Sequence, residues 1–121
     1  MKIEEMSKHH QFVWTVLQTM EDEERIIGPA LMERTGVKDR RGLYQIINGL
    51  RQQGYLIGSS KHPDDRGYFE IRDEIDLRRT LASLRDAAIS LLDTAEAIER
   101  TFNEQKYGRL PQEDDEGEDG E

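Results

Sequence analysis

A heptad of apolar residues near the C-terminus constrains this chain more than any other feature. Apolar side chains recur at alternating spacings of four and three residues, at Leu77, Leu81, Leu84, Ala88, Leu91, Ala95, Ile98 and Phe102. This repeat predicts one long helix, capped by Asp73 or Asp76 and reaching about Glu104. So long a stripe cannot be buried against one small domain, so we expect these eight residues to form a homodimer interface.

The alanines at positions 88 and 95 favour close approach of two helices, as in an antiparallel or bundle-like pair. The alternative is a helix that folds back onto its own domain. Either arrangement would make the C-terminal part of the chain a single helix rather than a second globular domain.

The segment from Val37 to Ile71 predicts a helix followed by a two-stranded hairpin. The expected helix covers residues 39–53, with Asp39 as its cap, and has one apolar face made of Leu43, Ile46, Ile47 and Leu50. Gly54 ends it, and the runs 55–57 and 68–71 are rich in β-prone residues. Gly42 and Gly49 share a face where a neighbouring backbone could approach, although Asn48-Gly49 leaves a break in the helix as an alternative.

The N-terminal part of the chain predicts two further helices and a short strand. Ser7 is a suitable cap for a helix from Lys8 to Met20, and residues 25–27 are β-prone. Gly28 and Pro29 begin a second helix that ends at Thr35-Gly36. Two helices joined by a glycine-containing turn, this one and helix 39–53, match a helix-turn-helix unit. Trp14 is expected to pack in the core, with base stacking as the minor alternative.

The face of helix 39–53 opposite its apolar stripe carries groups that bind phosphates or read base edges. We predict that Arg41, Gln45 and Asn48 contact bases, and that phosphates are held by Lys38, Arg40, Tyr44 and Arg51. In the loop between the two strands, Lys61 and Arg66 are candidate phosphate contacts. Asp64 and Asp65 oppose them, so a solvated loop is the alternative there.

The formal net charge of −9 argues against nucleic-acid binding until the distribution of the charges along the chain is considered. Residues 113–121 hold seven of the 26 acidic residues, and without them 17 basic residues face 19 acidic ones. Residues 38–53 carry four basic residues and one acidic residue. A nearly neutral body with one basic face is compatible with moderate, salt-dependent DNA binding.

No pattern of a catalytic, metal or cofactor site is found, so we expect neither an enzyme nor a cofactor. The chain has no cysteine, and its three histidines lack metal-ligand spacing. Neither a signal sequence nor a membrane-spanning run is apparent, so a cytoplasmic protein without membrane contact is expected.

The sequence from Gly42 to Ile71 contains LYQIINGLRQQGYLIGSS followed by RGYFEI, and it resembles winged helix-turn-helix domains. It is similar to the DNA-binding module of biotin-repressor-like regulators and to small phage or prophage helix-turn-helix proteins. The resemblance implies DNA binding through the third helix and the wing. A catalytic domain follows that module in biotin repressors, whereas the long helix of this chain resembles that of dimeric PadR-type regulators.

The expected protein is mainly α with a small β-wing. Residues 1–72 would form a winged helix-turn-helix domain, 73–106 a dimerisation helix, and 107–121 a disordered acidic tail that either aids solubility or competes with DNA. The expected function is sequence-specific binding of double-stranded DNA by a homodimeric transcriptional regulator, with helix 39–53 in the major groove. The alternative is a phage or prophage replication or assembly adaptor, in which the winged domain binds a protein partner.

Overall fold

The computed structural model describes residues 2–107 of the chain. Within this range four α-helices and one two-stranded antiparallel sheet are formed, so the expectation of a mainly helical protein with a small sheet is confirmed. A short 3₁₀ turn (Ile3–Glu5) precedes α1 (Lys8–Thr19), α2 (Gly28–Thr35), α3 (Arg40–Gln52), β1 (Ile57–Ser60), β2 (Gly67–Glu70) and α4 (Glu74–Lys106).

The described chain divides into two compact units, one ending at Ser83 and the other beginning at Leu84. The first contains α1 to α3, both strands and the start of α4, and the second contains the rest of α4. The predicted acidic tail, residues 107–121, lies outside the described residues except for Tyr107.

Three helices begin where the sequence predicted a capping side chain. The Ser7 hydroxyl accepts a hydrogen bond from the backbone N–H of His10, and the Asp39 carboxylate accepts one of 2.7 Å from that of Gly42. Asp73 accepts a bond of 2.8 Å from the N–H of Asp76 at the start of α4. Because these bonds satisfy donors without a partner inside the helix, each fixes a boundary.

The core of the first unit lies between α1, α2 and α3. It contains Val13 and Leu17 from α1, Leu31 from α2, and Leu43, Ile46, Ile47 and Leu50 from α3, with Ile57 of β1 beside them. Each such side chain contributes about 1.5 to 3 kcal/mol when fully buried. Trp14 packs against this core, its ring edge-on to Tyr55 at a centroid distance of 5.1 Å, so its predicted packing role is confirmed.

α3 continues through Asn48 and Gly49 without the alternative break. A Cβ on Gly49 would come within 3.3 Å of the His10 ring, and one on Gly42 within 3.1 Å of the Asp39 carboxylate. The close neighbours of both glycines are therefore side chains, whereas the sequence suggested a neighbouring backbone.

The first strand begins two residues later than predicted because Tyr55 takes part in ending α3. Its backbone N–H donates to the carbonyl of Leu50 at 3.0 Å, while Gly54 has a φ of 98°. This satisfies a C-terminal helix carbonyl, so pairing starts only at Ile57, opposite Glu70, and extends to Ser60 opposite Gly67.

The predicted short strand at residues 25–27 is an isolated bridge between Ile26 and Tyr68. Their backbones exchange two hydrogen bonds of 3.0 and 2.8 Å. Gly67 permits this approach, because it has a φ of 134° and a Cβ there would lie 2.8 Å from the Ile26 carbonyl.

Arg72, which is far from α1 in the sequence, binds the carbonyl groups at the C-terminal end of that helix. Its guanidinium donates to the carbonyls of Gln18 and Met20 at 3.0 and 2.6 Å and to the Asp22 carboxylate at 2.7 Å. The hydrogen bonds to Asp22 and Glu70 raise the pKa of Arg72. Arg72 thus satisfies carbonyl groups at the end of α1, a role that the sequence analysis did not predict.

Gly58 is required by the packing of the sheet, and we predict that Gly58→Ala destabilises the protein by about 1 to 3 kcal/mol. The added Cβ would overlap the Phe69 ring and lie 2.8 Å from the Thr80 hydroxyl. Urea unfolding measures the loss. Gly28→Ala is the matched control, because its Cβ would meet its nearest neighbour at an ordinary 3.7 Å. Equal midpoints for the two variants would contradict this account.

Candidate nucleic-acid interface

α3 has one apolar face and one polar face. Because the apolar face is buried, the polar face is directed to solvent. Leu43, Ile46, Ile47 and Leu50 are buried, and the positions on the opposite side are solvent-exposed. Five predicted contact residues lie there, namely Arg40, Arg41, Tyr44, Gln45 and Asn48. Successive residues are about 100° apart around a helix, so these five share one contiguous arc, which we call the α3 polar face. Lys38, also exposed, precedes the helix.

The described contacts leave the donors of the α3 polar face directed to solvent. Asp39 is the acidic residue nearest to this face in the sequence, and its carboxylate caps the helix by accepting a hydrogen bond from the backbone N–H of Gly42. Two guanidinium groups, two amide side chains and a phenol therefore form a surface that can donate several hydrogen bonds to an anionic or polar ligand.

Arg51 lies on the edge of this face but is already engaged. Its Nε donates to the carbonyl of Ile57 at 2.9 Å, and a terminal nitrogen donates to the Ser59 hydroxyl at 3.3 Å. Burial lowers the pKa of Arg51, and the neighbouring Tyr68 partly offsets that effect. The guanidinium thus joins the last turn of α3 to β1, and any phosphate contact would use its remaining donors.

Tyr68 is a candidate residue that sequence reasoning missed. Burial raises the pKa of Tyr68, with a further rise from Tyr44, while the positive charges of Arg51 and Arg40 lower it. The phenol is therefore protonated at neutral pH, near the basic residues of α3, and can donate a hydrogen bond. The only signal in the sequence was its position in a β-prone run, which did not indicate which face it would take.

The loop between the strands, residues 61–66, exposes both of its predicted basic contacts, Lys61 and Arg66. The two aspartates of this loop have different roles. Asp64 is exposed, whereas one oxygen of Asp65 lies 3.0 Å from the Arg25 Nε and the other 3.2 Å from Arg79. The charge of Asp65 is thus countered by two guanidinium groups, which weakens the repulsion that the sequence suggested.

Arg25 is the centre of the contacts that hold this loop. Its guanidinium lies 3.7 Å from the centroid of the Phe69 ring and 3.5 Å from an Asp76 oxygen. The Nε contact with Asp65 is a close ion pair whose direction does not meet hydrogen-bond geometry. One nearly buried cation therefore connects the loop, β2 and the start of α4, all within the first unit. Nothing in the sequence identified Arg25 as the partner of an acid 40 residues away.

The predicted dimerisation residues lie along α4, with Leu77 and Leu81 in the first unit and the rest in the second. Leu81 is partly buried, and the others are exposed: Leu77, Leu84, Ala88, Leu91, Ala95, Ile98 and Phe102. The exposed fractions of Leu91, Ile98 and Phe102 are 72%, 66% and 60%. The single long helix is confirmed, and within residues 2–107 Leu81 is the one residue of the stripe that is partly buried.

Comparison with known proteins gives no match to a protein family, to a curated protein or to a solved structure. Over residues 2–107, no helix has the combined length and hydropathy to span a bilayer.

Loss of the Asp65 carboxylate is expected to lower stability. We predict that Asp65→Asn reduces the free energy of unfolding by about 1 to 3 kcal/mol, because the nearly buried Arg25 loses its closest carboxylate partner. Among the described carboxylates it would keep only Asp76, at the longer distance of 3.5 Å, besides its hydrogen bond to the Glu24 carbonyl. Asp64→Asn is the matched control: it removes the same charge from an exposed neighbour and should change stability by less than about 0.5 kcal/mol. Denaturant unfolding of both variants gives the comparison, and a loss equal in the two would show that the ion pairs do not hold the loop.

Proposed function

We propose that this protein is a sequence-specific DNA-binding protein, a homodimeric transcriptional regulator with a winged helix-turn-helix domain. In this proposal α2 and α3 form the helix-turn-helix, and the hairpin β1–β2 is the wing. The α3 polar face carries the proposal, because it combines exposed cationic and amide side chains on a helix whose orientation is fixed by four buried residues.

Each residue of the proposed interface has a role that follows from its chemistry. α3 enters the major groove, where Arg41 suits guanine and the amides of Gln45 and Asn48 suit adenine. Lys38, Arg40 and Tyr44 hold phosphates beside it. Arg51 aligns α3 with β1, since its donors already bind Ile57 and Ser59.

The wing contributes fewer charges than α3. Lys61 and Arg66 are its two exposed basic residues, and Tyr68 adds a phenol donor next to the basic residues of α3. Asp64 remains an exposed acid in the same loop, so the wing supplements the α3 contacts rather than dominating them.

Charge limits the affinity of one domain. If about four to six phosphates are neutralised, the logarithm of the binding constant should fall with the logarithm of salt concentration with a slope of about −4 to −5. Pairing through α4 would place two such domains on one site with two-fold symmetry and raise the effective affinity without new residues.

Gel-shift assays with genomic fragments at low and moderate salt test the function. Protection of a discrete pseudo-palindromic site would support a regulator. Absence of any binding even at low salt would overturn the proposal and favour the protein-binding adaptor.

Arg41 provides the sharpest test of base recognition. We predict that Arg41→Ala weakens binding to the preferred site by about 1 to 3 kcal/mol and relaxes the preference at one base pair. Arg100→Ala is the control, because it removes the same charge from an exposed position of α4 in the second unit, where none of the proposed DNA contacts lies. Binding to a panel of single-base variants separates the roles: a uniform loss on all sequences would make Arg41 a phosphate contact.

A further inference from the structure

The order of large and small residues along the α4 stripe is informative about the helix that covers it. Leu77, Leu81 and Leu84 occupy its N-terminal part, alanines stand at positions 88 and 95, and Ile98 and Phe102 end it. A parallel, in-register pair would place each residue against its own copy. Two layers would then contain only alanines, while another would place two phenylalanines together, so the spacing between the helices could not be uniform.

An antiparallel pair resolves this mismatch in a single register. If Ala88 faces Leu91 of a second copy, each of the remaining positions of the stripe also faces a stripe residue of that copy. Leu84 then faces the partner's Ala95, Leu81 the partner's Ile98, and Leu77 the partner's Phe102. Each alanine is opposite a leucine, and the eight positions give eight layers over about 38 Å of helix.

Charges beside the stripe favour the same orientation. One flank carries Arg78, Arg85, Leu92 and Glu99, and the other carries only threonine and alanine. In an antiparallel pair like flanks meet, so Arg78 lies next to the partner's Glu99 and the stem of Arg85 covers the partner's Leu92. In a parallel pair opposite flanks meet, and neither flank would find a charged partner.

We propose that a second copy of this chain covers the α4 stripe as an antiparallel helix pair in the register that sets Leu84 against the partner's Ala95 and Ala88 against the partner's Leu91. The inference rests on the homodimer of the proposed function, and not on DNA binding. The described contacts of Arg78 are compatible with it: the side chain is 75% exposed and is held by Glu74 at 3.5 Å on the same helix.

Disulfide trapping tests both orientation and register, because the chain contains no cysteine of its own. Leu84→Cys and Ala95→Cys are prepared separately in the full-length chain, then mixed and oxidised. The proposed register brings the two sulfurs of a mixed pair within disulfide range, whereas equivalent positions are separated by 11 residues, about 16 Å along the helix.

The expected result is a covalent dimer in the mixture and little in either variant alone. A parallel pair would give the reverse, with a disulfide in each variant alone, and would overturn the inference. Asp93→Cys is the control for random collision, because it is exposed and lies away from the stripe. Circular dichroism and thermal unfolding of the reduced variants establish that each is folded.

Sedimentation equilibrium of the unmodified chain distinguishes failure of this inference from failure of the proposed function. A monomer at all concentrations would overturn both the antiparallel pair and the homodimer. A trapped antiparallel dimer that binds no DNA would leave the inference intact and refute the DNA-binding function. A dimer that is not trapped in this register would refute only the inference.

Discussion

The burial of one face of α3 is the constraint on which the rest of the first unit depends. Leu43, Ile46, Ile47 and Leu50 are all buried, so a rotation of the helix by one residue would expose apolar groups and bury cations without partners. Both changes cost several kcal/mol, which fixes the polar face toward solvent. The orientation of the proposed recognition helix is therefore a consequence of core packing.

The hairpin depends on α3 and in turn connects it to the start of α4. Its two faces have different partners, because successive residues of a strand point to opposite sides. Tyr68 lies near the basic residues of α3, and Phe69 packs between Gly58 and the Arg25 guanidinium. Since Arg25 also pairs with Asp65, the packing of one aromatic ring restrains the loop that would approach a ligand.

Much of this arrangement could be predicted from local sequence, because its determinants are local. Helix periodicity and the caps Ser7, Asp39 and Asp73 located the helix starts within one residue. The strand positions were less accurate, since Tyr55 is used to end α3 and pairing continues through Ser59 and Ser60, beyond the predicted run 55–57. The ion pairs of Arg25 and the bonds of Arg72 to the end of α1 could not be predicted, because they join residues 40 to 54 positions apart and depend on the completed fold.

Pairing of two copies through α4 would address two features of the single chain, its exposed apolar stripe and the small number of basic groups on α3. An exposed stripe with leucine, isoleucine and phenylalanine more than half exposed is unfavourable in water. In the proposed function, one α3 polar face would neutralise too few phosphates for tight DNA binding by a chain of net charge −9. Antiparallel pairing of α4 would cover the exposed stripe. It would also double the number of phosphates that the protein could contact. It would also impose two-fold symmetry on the pair, and therefore on any DNA site it reads. The first unit does not use the residues beyond Ser83 for its core, so the proposed pairing would give this part of α4 a structural role.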